Sequence, residues 1–195
     1  MANQRTQMFE DKPALAECLP ELNDLRVAGK LTDLTIELQE NVKLHAHRVV
    51  FASRIPSLRD SVCEISTLQW PKLSSEVAGP LVDYVYTGQL KVNEANAVGL
   101  IVLSKQLQMP HIEDWVVSFM AARLDSQTLA NNWNLAEVLN SDQLRTICLQ
   151  QIKKNFEATV PSDFFMQLPA DFVLSLLRAD DLHVTCEESV FEAIH

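Results

Sequence analysis

Alternation of apolar and polar residues is confined to the stretch between Leu31 and Trp70, and the rest of the chain repeats with the period of a helix. Leu34, Ile36 and Leu38 alternate with Thr35 and Glu37, the spacing of a half-buried strand over 31–38. Asn41 turns the chain into a second strand over 42–47, and a third is expected over 65–70, closed by Pro71. Strand patterning stops well before Asp125. The expected fold is therefore α+β up to about that residue and all-α beyond it.

Helical signals fill the intervals. Leu15, Leu19, Leu22 and Leu25 recur at three- and four-residue steps, which predicts a first helix over 11–28 with Pro13 in its first turn and Gly29 beyond its end. A short helix over 49–53 breaks before Pro56, which starts another reaching Val62. Ser74 or Ser75 caps a helix carrying Val77, Leu81, Val82 and Val85, and Gly88 ends it. Pro80, about a turn in, predicts a late start or a kink. Two helices follow over 93–108 and 110–124, separated at Met109-Pro110. Beyond Asp125, Ser126 opens a helix through Leu129, Trp133, Ala136 and Leu139. Ser141 opens the next through Leu144, Ile147, Ile152 and Phe156. Near the end, Thr185 and Glu188 form a capping box ahead of Val190, Phe191 and Ile194. A helix barely begun cannot bury its apolar face, so the pattern predicts a piece of a longer protein.

Composition narrows the function. With 195 residues, 47% hydrophobic and 22% charged, the chain can build a core, and no apolar run approaches the ~20 residues of a membrane span. Sixteen Lys and Arg against 26 Asp and Glu give a formal charge of -10, which repels phosphate backbones and anionic lipid, so neither nucleic acid nor membrane is an expected partner. The four cysteines, Cys18, Cys63, Cys148 and Cys186, have no metal-knuckle or redox spacing. Without a secretory signal, they predict reduced thiols in the cytoplasm or nucleus. The only glycines are Gly29, Gly79, Gly88 and Gly99, too dispersed for a phosphate-cradling loop. His45 and His47 share a strand face, yet no Cys or carboxylate flanks them at ligand spacing. No catalytic residue, metal ligand or cofactor site is expected.

Several motifs in order carry a resemblance. Leu22-Asn23-Asp24-Leu25-Arg26, Gly29-Lys30-Leu31-Thr32-Asp33-Leu34, His45-Ala46-His47-Arg48-Val49-Val50-Phe51-Ala52, Tyr84-Val85-Tyr86-Thr87-Gly88 and Leu107-Gln108-Met109-Pro110 together resemble the BTB (POZ) domain of kelch-like proteins. Asn155-Phe156, Asp163-Phe164-Phe165, Leu168-Pro169, Asp180-Asp181-Leu182-His183-Val184 and Glu187-Glu188-Ser189-Val190-Phe191-Glu192-Ala193 are similar to the start of a BACK domain. The resemblance implies a BTB domain over 12–124 and a helical module over 125–195 that comprises the segment after BTB and a truncated BACK domain. It leaves 1–11 as a flexible or exchanged segment, in which Thr6 to Phe9 could be a strand swapped between subunits.

The resemblance also implies a role. Proteins of this family are adaptors, in which BTB forms a homodimer and binds the amino-terminal helices of cullin-3 while a later region captures a substrate for ubiquitin transfer. Carried onto this sequence, Leu58, Ser61 and Val62 lie on the cullin-facing helix. Val62-Cys63-Glu64 has the form of the family's hydrophobic-x-Glu loop motif but comes early, ahead of a shortened loop, and is either its displaced equivalent or a coincidence. Trp133 is the candidate anchor on the module that extends that surface. For the first helix, Leu15, Leu19 and Leu22 cover either the subunit's own core or a two-fold interface. Asp33 and Arg48 read as an ion pair in or near that seam. The alternative function is a BTB scaffold that dimerises, for a cytoskeletal or transcriptional protein, without binding cullin.

Overall fold

The computed structural model describes residues 12–179 and 181–184, with side chains from Cys18 onward. The segment Thr6 to Phe9, the Leu15 side chain and the capping box at Thr185 lie outside the described residues. The chain divides into two compact units after Pro110.

In the first unit, β1 (Leu34–Leu38) is the middle strand of three, antiparallel to β2 (Lys43–Ala46) and parallel to β3 (Thr67–Trp70). Leu34, Ile36 and Leu38 are buried and Thr35 and Glu37 are half-buried, as the alternation requires. The hairpin turn between β1 and β2 puts both Glu40 and Asn41 at positive φ, 57° and 59°, and Val42 N–H donates to Gln39 O at 3.2 Å. Two-residue hairpins need that left-handed pair to match strand twist; Asn tolerates it well and Glu less so. The parallel β1–β3 pairing needs a crossover. It contains α2 (Arg48–Arg54), a 3-10 turn at Pro56–Leu58, and α3 (Arg59–Glu64).

Helices then cover the sheet. The first helix, α1 (Lys12–Val27), ends ahead of Gly29, whose φ is 67°. Pro80 neither delays nor divides α4 (Ser75–Thr87), which starts directly after the extended Ser74. A proline here costs about 3 kcal/mol. Burial of Val77, Leu81, Val82, Val85 and Tyr86 at ~1.5–3 kcal/mol each for the aliphatic side chains outweighs it. Next, α5 (Ala97–Gln106) begins later than its periodicity predicts. Asn93 and Asn96 each accept the other's N–H at 2.9 Å, a reciprocal cap, and Ala97 N–H donates to Asn93 O at 3.0 Å, so regular helix follows one turn after Asn93.

The second unit is helical among the described residues: α6 (Pro110–Ala121), α7 (Leu129–Val138), α8 (Asp142–Lys154), α9 (Phe156–Thr159), α10 (Asp163–Met166) and α11 (Ala170–Leu177). The compact units part at Pro110, the first residue of α6, and side chains of α6 are bonded to the start of α8. Ser141 Oγ donates to Glu113 Oε1 at 2.7 Å and Gln143 Nε2 to Asp114 Oδ1 at 2.5 Å. Ser141 also caps α8, accepting from Leu144 N–H. Ser126 does not open α7. Asp125 Oδ1 instead accepts from Gln127 N–H, Thr128 N–H and the Thr128 hydroxyl, a turn that holds its carboxyl below the usual range and delays the helix to Leu129. The helix predicted to run on through Phe156 ends at Lys154, because Asn155 leaves helical geometry at φ −118°, ψ 36°. Cys148 is buried, and burial pushes its thiol up to about 11. Cys18, Cys63 and Cys148 are unpaired.

Two helical glycines differ in what surrounds them. A Cβ on Gly99 would lie 2.5 Å from Val77 Cγ2, whereas one on Gly79 meets nothing within 4 Å outside its own helix backbone. Gly79→Ala should stabilise the chain by about 1 kcal/mol through helix propensity. Gly99→Ala should destabilise it, since overpacking of about 1–3 kcal/mol exceeds that same gain. Urea melts of the two variants should move in opposite directions.

Candidate protein-docking surface

Arg48 opens α2, and its N–H is one of the donors a helix start leaves without an internal partner. Asp33 Oδ1 accepts it at 2.7 Å. The Arg48 guanidinium runs elsewhere: Nε donates to Val62 O at 2.6 Å, and Nη2 donates to Cys63 O. Those carbonyls end α3, where a cation meets the negative end of the helix dipole. Asp33 and Arg48 therefore form two helix caps in series rather than the ion pair their types suggest. Asp33 holds the start of α2, and α2 holds the end of α3 through Arg48.

His47, one residue earlier, is buried. Its N–H donates to Tyr86 Oη at 2.7 Å, its Nδ1 lies 2.9 Å from the same hydroxyl, and its Nε2 lies 3.2 Å from Lys30 O. A carbonyl only accepts, so the hydrogen sits on Nε2 and the Tyr86 hydroxyl donates to Nδ1. Burial pushes the Tyr86 phenol up. Arg26 lies 5.1 Å from the Tyr86 ring centroid and donates to Asp83 Oδ1 at 2.6 Å, joining α1 to α4. Strand alternation pairs His47 with His45 on one face and misses this role; the signal lay in His47 immediately preceding a helix, where side chains leave the strand register.

Around α3, Leu58 is half-buried and Ser61 and Glu64 are exposed. Val62 is 0% exposed, so it is a core residue and leaves the set of side chains that could touch a partner. In so short a helix the apolar residue faces inward, and Arg48 pins its carbonyl there. Val62-Cys63-Glu64 closes α3 and is not a loop. Only Ile65 and Ser66 separate α3 from β3. On α1, Leu19 and Leu22 are half-buried, which leaves part of the leucine stripe open on a single chain.

Trp133 is 6% exposed, with ring centroids 4.5 Å from Phe172 and 6.4 Å from Phe164. The aromatic side chains of α10 and α11 take up its ring, so it is a core residue rather than an exposed anchor. Among the described residues no three His, Cys, Asp or Glu side chains converge as metal ligands. The surface chemistry in this region is apolar contact bordered by hydroxyl and carboxylate groups.

Because Asp33 fixes the residue whose guanidinium caps α3, the two caps should be coupled. Asp33→Ala should cost about 1 kcal/mol as a lost N-cap, and Arg48→Met about 1–2 kcal/mol as lost charged hydrogen bonds at a partly exposed site. A double-mutant cycle by denaturant melting should show a coupling of about 0.5 kcal/mol or more. Additivity would mean that the caps do not act in series.

Residues 22–124 match the protein-family model described as BTB/POZ domain, and residues 129–195 match the one described as BTB And C-terminal Kelch. The chain is 29% identical over 189 residues to Kelch repeat and BTB domain-containing protein 8 of Danio rerio, covering 93% of this chain and 31% of that protein. It is 28% identical over 181 residues to Kelch-like protein 6 of Homo sapiens, covering 89% and 29%. To Kelch-like protein 7 of Rattus norvegicus it is 27% identical over 190 residues, covering 94% and 32%. The chain spans about a third of the length of these curated relatives.

Proposed function

Since the chain belongs to the BTB–BACK family of kelch-like proteins, we propose that it is the dimeric adaptor portion of a cullin-3 ubiquitin ligase, without catalysis of its own. The observation that carries this reading is the tandem itself, a BTB match ending at 124 and a BACK match starting at 129. A functional division near Asp125 follows from it, although the compact units part earlier. Cullin-3 docks on α3, with Leu58 giving apolar contact and Ser61 and Glu64 giving polar specificity. Trp133, buried against Phe172 in the second unit, is not part of this docking face. The dimer seam uses Leu15, Leu19 and Leu22 of α1, with Asp33 and Arg48 setting the adjacent α2. A substrate is held by a region outside this sequence, and the setting is cytoplasmic or nuclear. A charge of -10 disfavours nucleic acid. Among the described residues, no helix is long and apolar enough to cross a membrane.

One observation favours a second reading, a BTB dimer that serves as a scaffold without cullin. With Val62 in the core and two residues joining α3 to β3, there is no loop to insert against a cullin helix.

Calorimetry with the cullin-3 amino-terminal domain separates the two. Wild type should bind. Leu58→Arg should weaken binding about tenfold or more, since burying one such side chain is worth about 1.5–3 kcal/mol, and Glu64→Ala should weaken it less. No heat at tens of micromolar would leave the scaffold.

Dimerisation is tested by light scattering, which should give twice the subunit mass at micromolar concentration. Leu19→Glu with Leu22→Glu should lower that mass or cause aggregation. A monomeric wild type would overturn the seam on α1.

A further inference from the structure

A cavity of about 280 Å³ lies in the second unit between α7 and the segment around α10. Trp133, Phe164 and Leu168 supply apolar walls, and Asn134, Asp163 and Gln167 line it with two amides and a carboxylate. These three polar side chains make no hydrogen bond or ion pair among the described residues. All three are exposed to solvent, beside the buried Trp133 and Leu168.

We propose that this cavity binds one cationic side chain, an arginine presented by a partner polypeptide. Its size is just under the ~300 Å³ at which small-molecule pockets begin, which suits a single side chain better than a drug-sized ligand or a helix. Among the described residues its one charged lining residue is Asp163, an acid that forms no ion pair there. An apolar occupant would strip water from that carboxylate and give nothing back. A cation is attracted by the carboxylate and by the ring quadrupole of Phe164, the half-buried aromatic of the lining. Among cations, the guanidinium fits better than an ammonium. It is planar and brings five donors and no acceptor, which suits the Asp163 carboxylate and amides that can turn their carbonyl oxygens toward it.

The walls are held in place without a ligand. Phe172 packs against Trp133 at 4.5 Å, and Ser162 Oγ accepts from Phe165 N–H at 3.3 Å to fix the turn that carries Asp163 and Phe164. Preformed walls reduce the ordering cost of binding. The site stands on the second unit alone and does not depend on cullin binding.

The test is a titration of the chain, followed by NMR of the Trp133 indole N–H, which Trp70→Phe and Trp115→Phe assign by elimination. The probes are N-acetyl-arginine methylamide and its neutral isostere, N-acetyl-citrulline methylamide. The arginine probe should shift the Trp133 resonance saturably, and citrulline should bind about tenfold more weakly or worse. Asp163→Asn should bring arginine down to the citrulline level with an unchanged melting temperature. Asp171→Asn, an exposed acid of α11 outside the cavity lining, should leave binding as in wild type. No saturable shift with arginine, an equal response to citrulline, or full binding by Asp163→Asn would each overturn the proposal.

Discussion

The first unit depends on where the Arg48 guanidinium goes. A six-residue helix such as α3 is too short to be stable by its own hydrogen bonds. Arg48 supplies what it lacks by taking the carbonyls of Val62 and Cys63, while Asp33 fixes the residue that bears the guanidinium. Asp33 sits at the threshold of β1, so the middle strand, the start of α2 and the end of α3 share one chain of polar contacts. Val62 is held in the core as a result, and the exposed residues of α3 are left as the face open to a partner.

His47 adds a second tie at the same corner. Its ring joins Tyr86 of α4 to the Lys30 carbonyl beyond α1, and both ring nitrogens are used. Burying these polar groups is tolerable because each finds its partner. The two neighbours divide the work by direction: His47 secures α2 against the helices, and Arg48 secures it against α3.

Where a pattern is long enough, the sequence predicts the structure well. Leu34, Ile36 and Leu38 identify the central strand, Ser141 the start of α8, and Gly88 the end of α4. The misses arise where local signals meet tertiary demands. Pro80 forecasts a break by propensity, and core burial along α4 overrides it. Asn93 and Asn96 sit inside a helical pattern but bond each other's backbone. Val62 on α3 spans too few residues for periodicity to tell the inner face from the outer. Trp133 has the size of an interface anchor, and its burial depends on Phe164 and Phe172, about 30 and 40 residues further on, which no local window can pair with it.

The link between α3 and β3 constrains what kind of docking this chain can offer. Thr35 N–H donates to Ser66 O at 2.9 Å, and β3 enters parallel register with β1 at Thr67. Arg48 holds one end of the two-residue link and the sheet holds the other. Lengthening it into a reaching loop would mean unwinding the end of α3 and giving up the Arg48 bonds, or peeling Ser66 and Thr67 from the sheet. Each loses hydrogen bonds that solvent repays only in part. A partner at this corner would therefore meet side chains carried by α3 and the turn before it rather than a loop. A partner that needs an inserted loop would find none, whereas one that packs along Leu58, Ser61 and Glu64 would meet a surface already set.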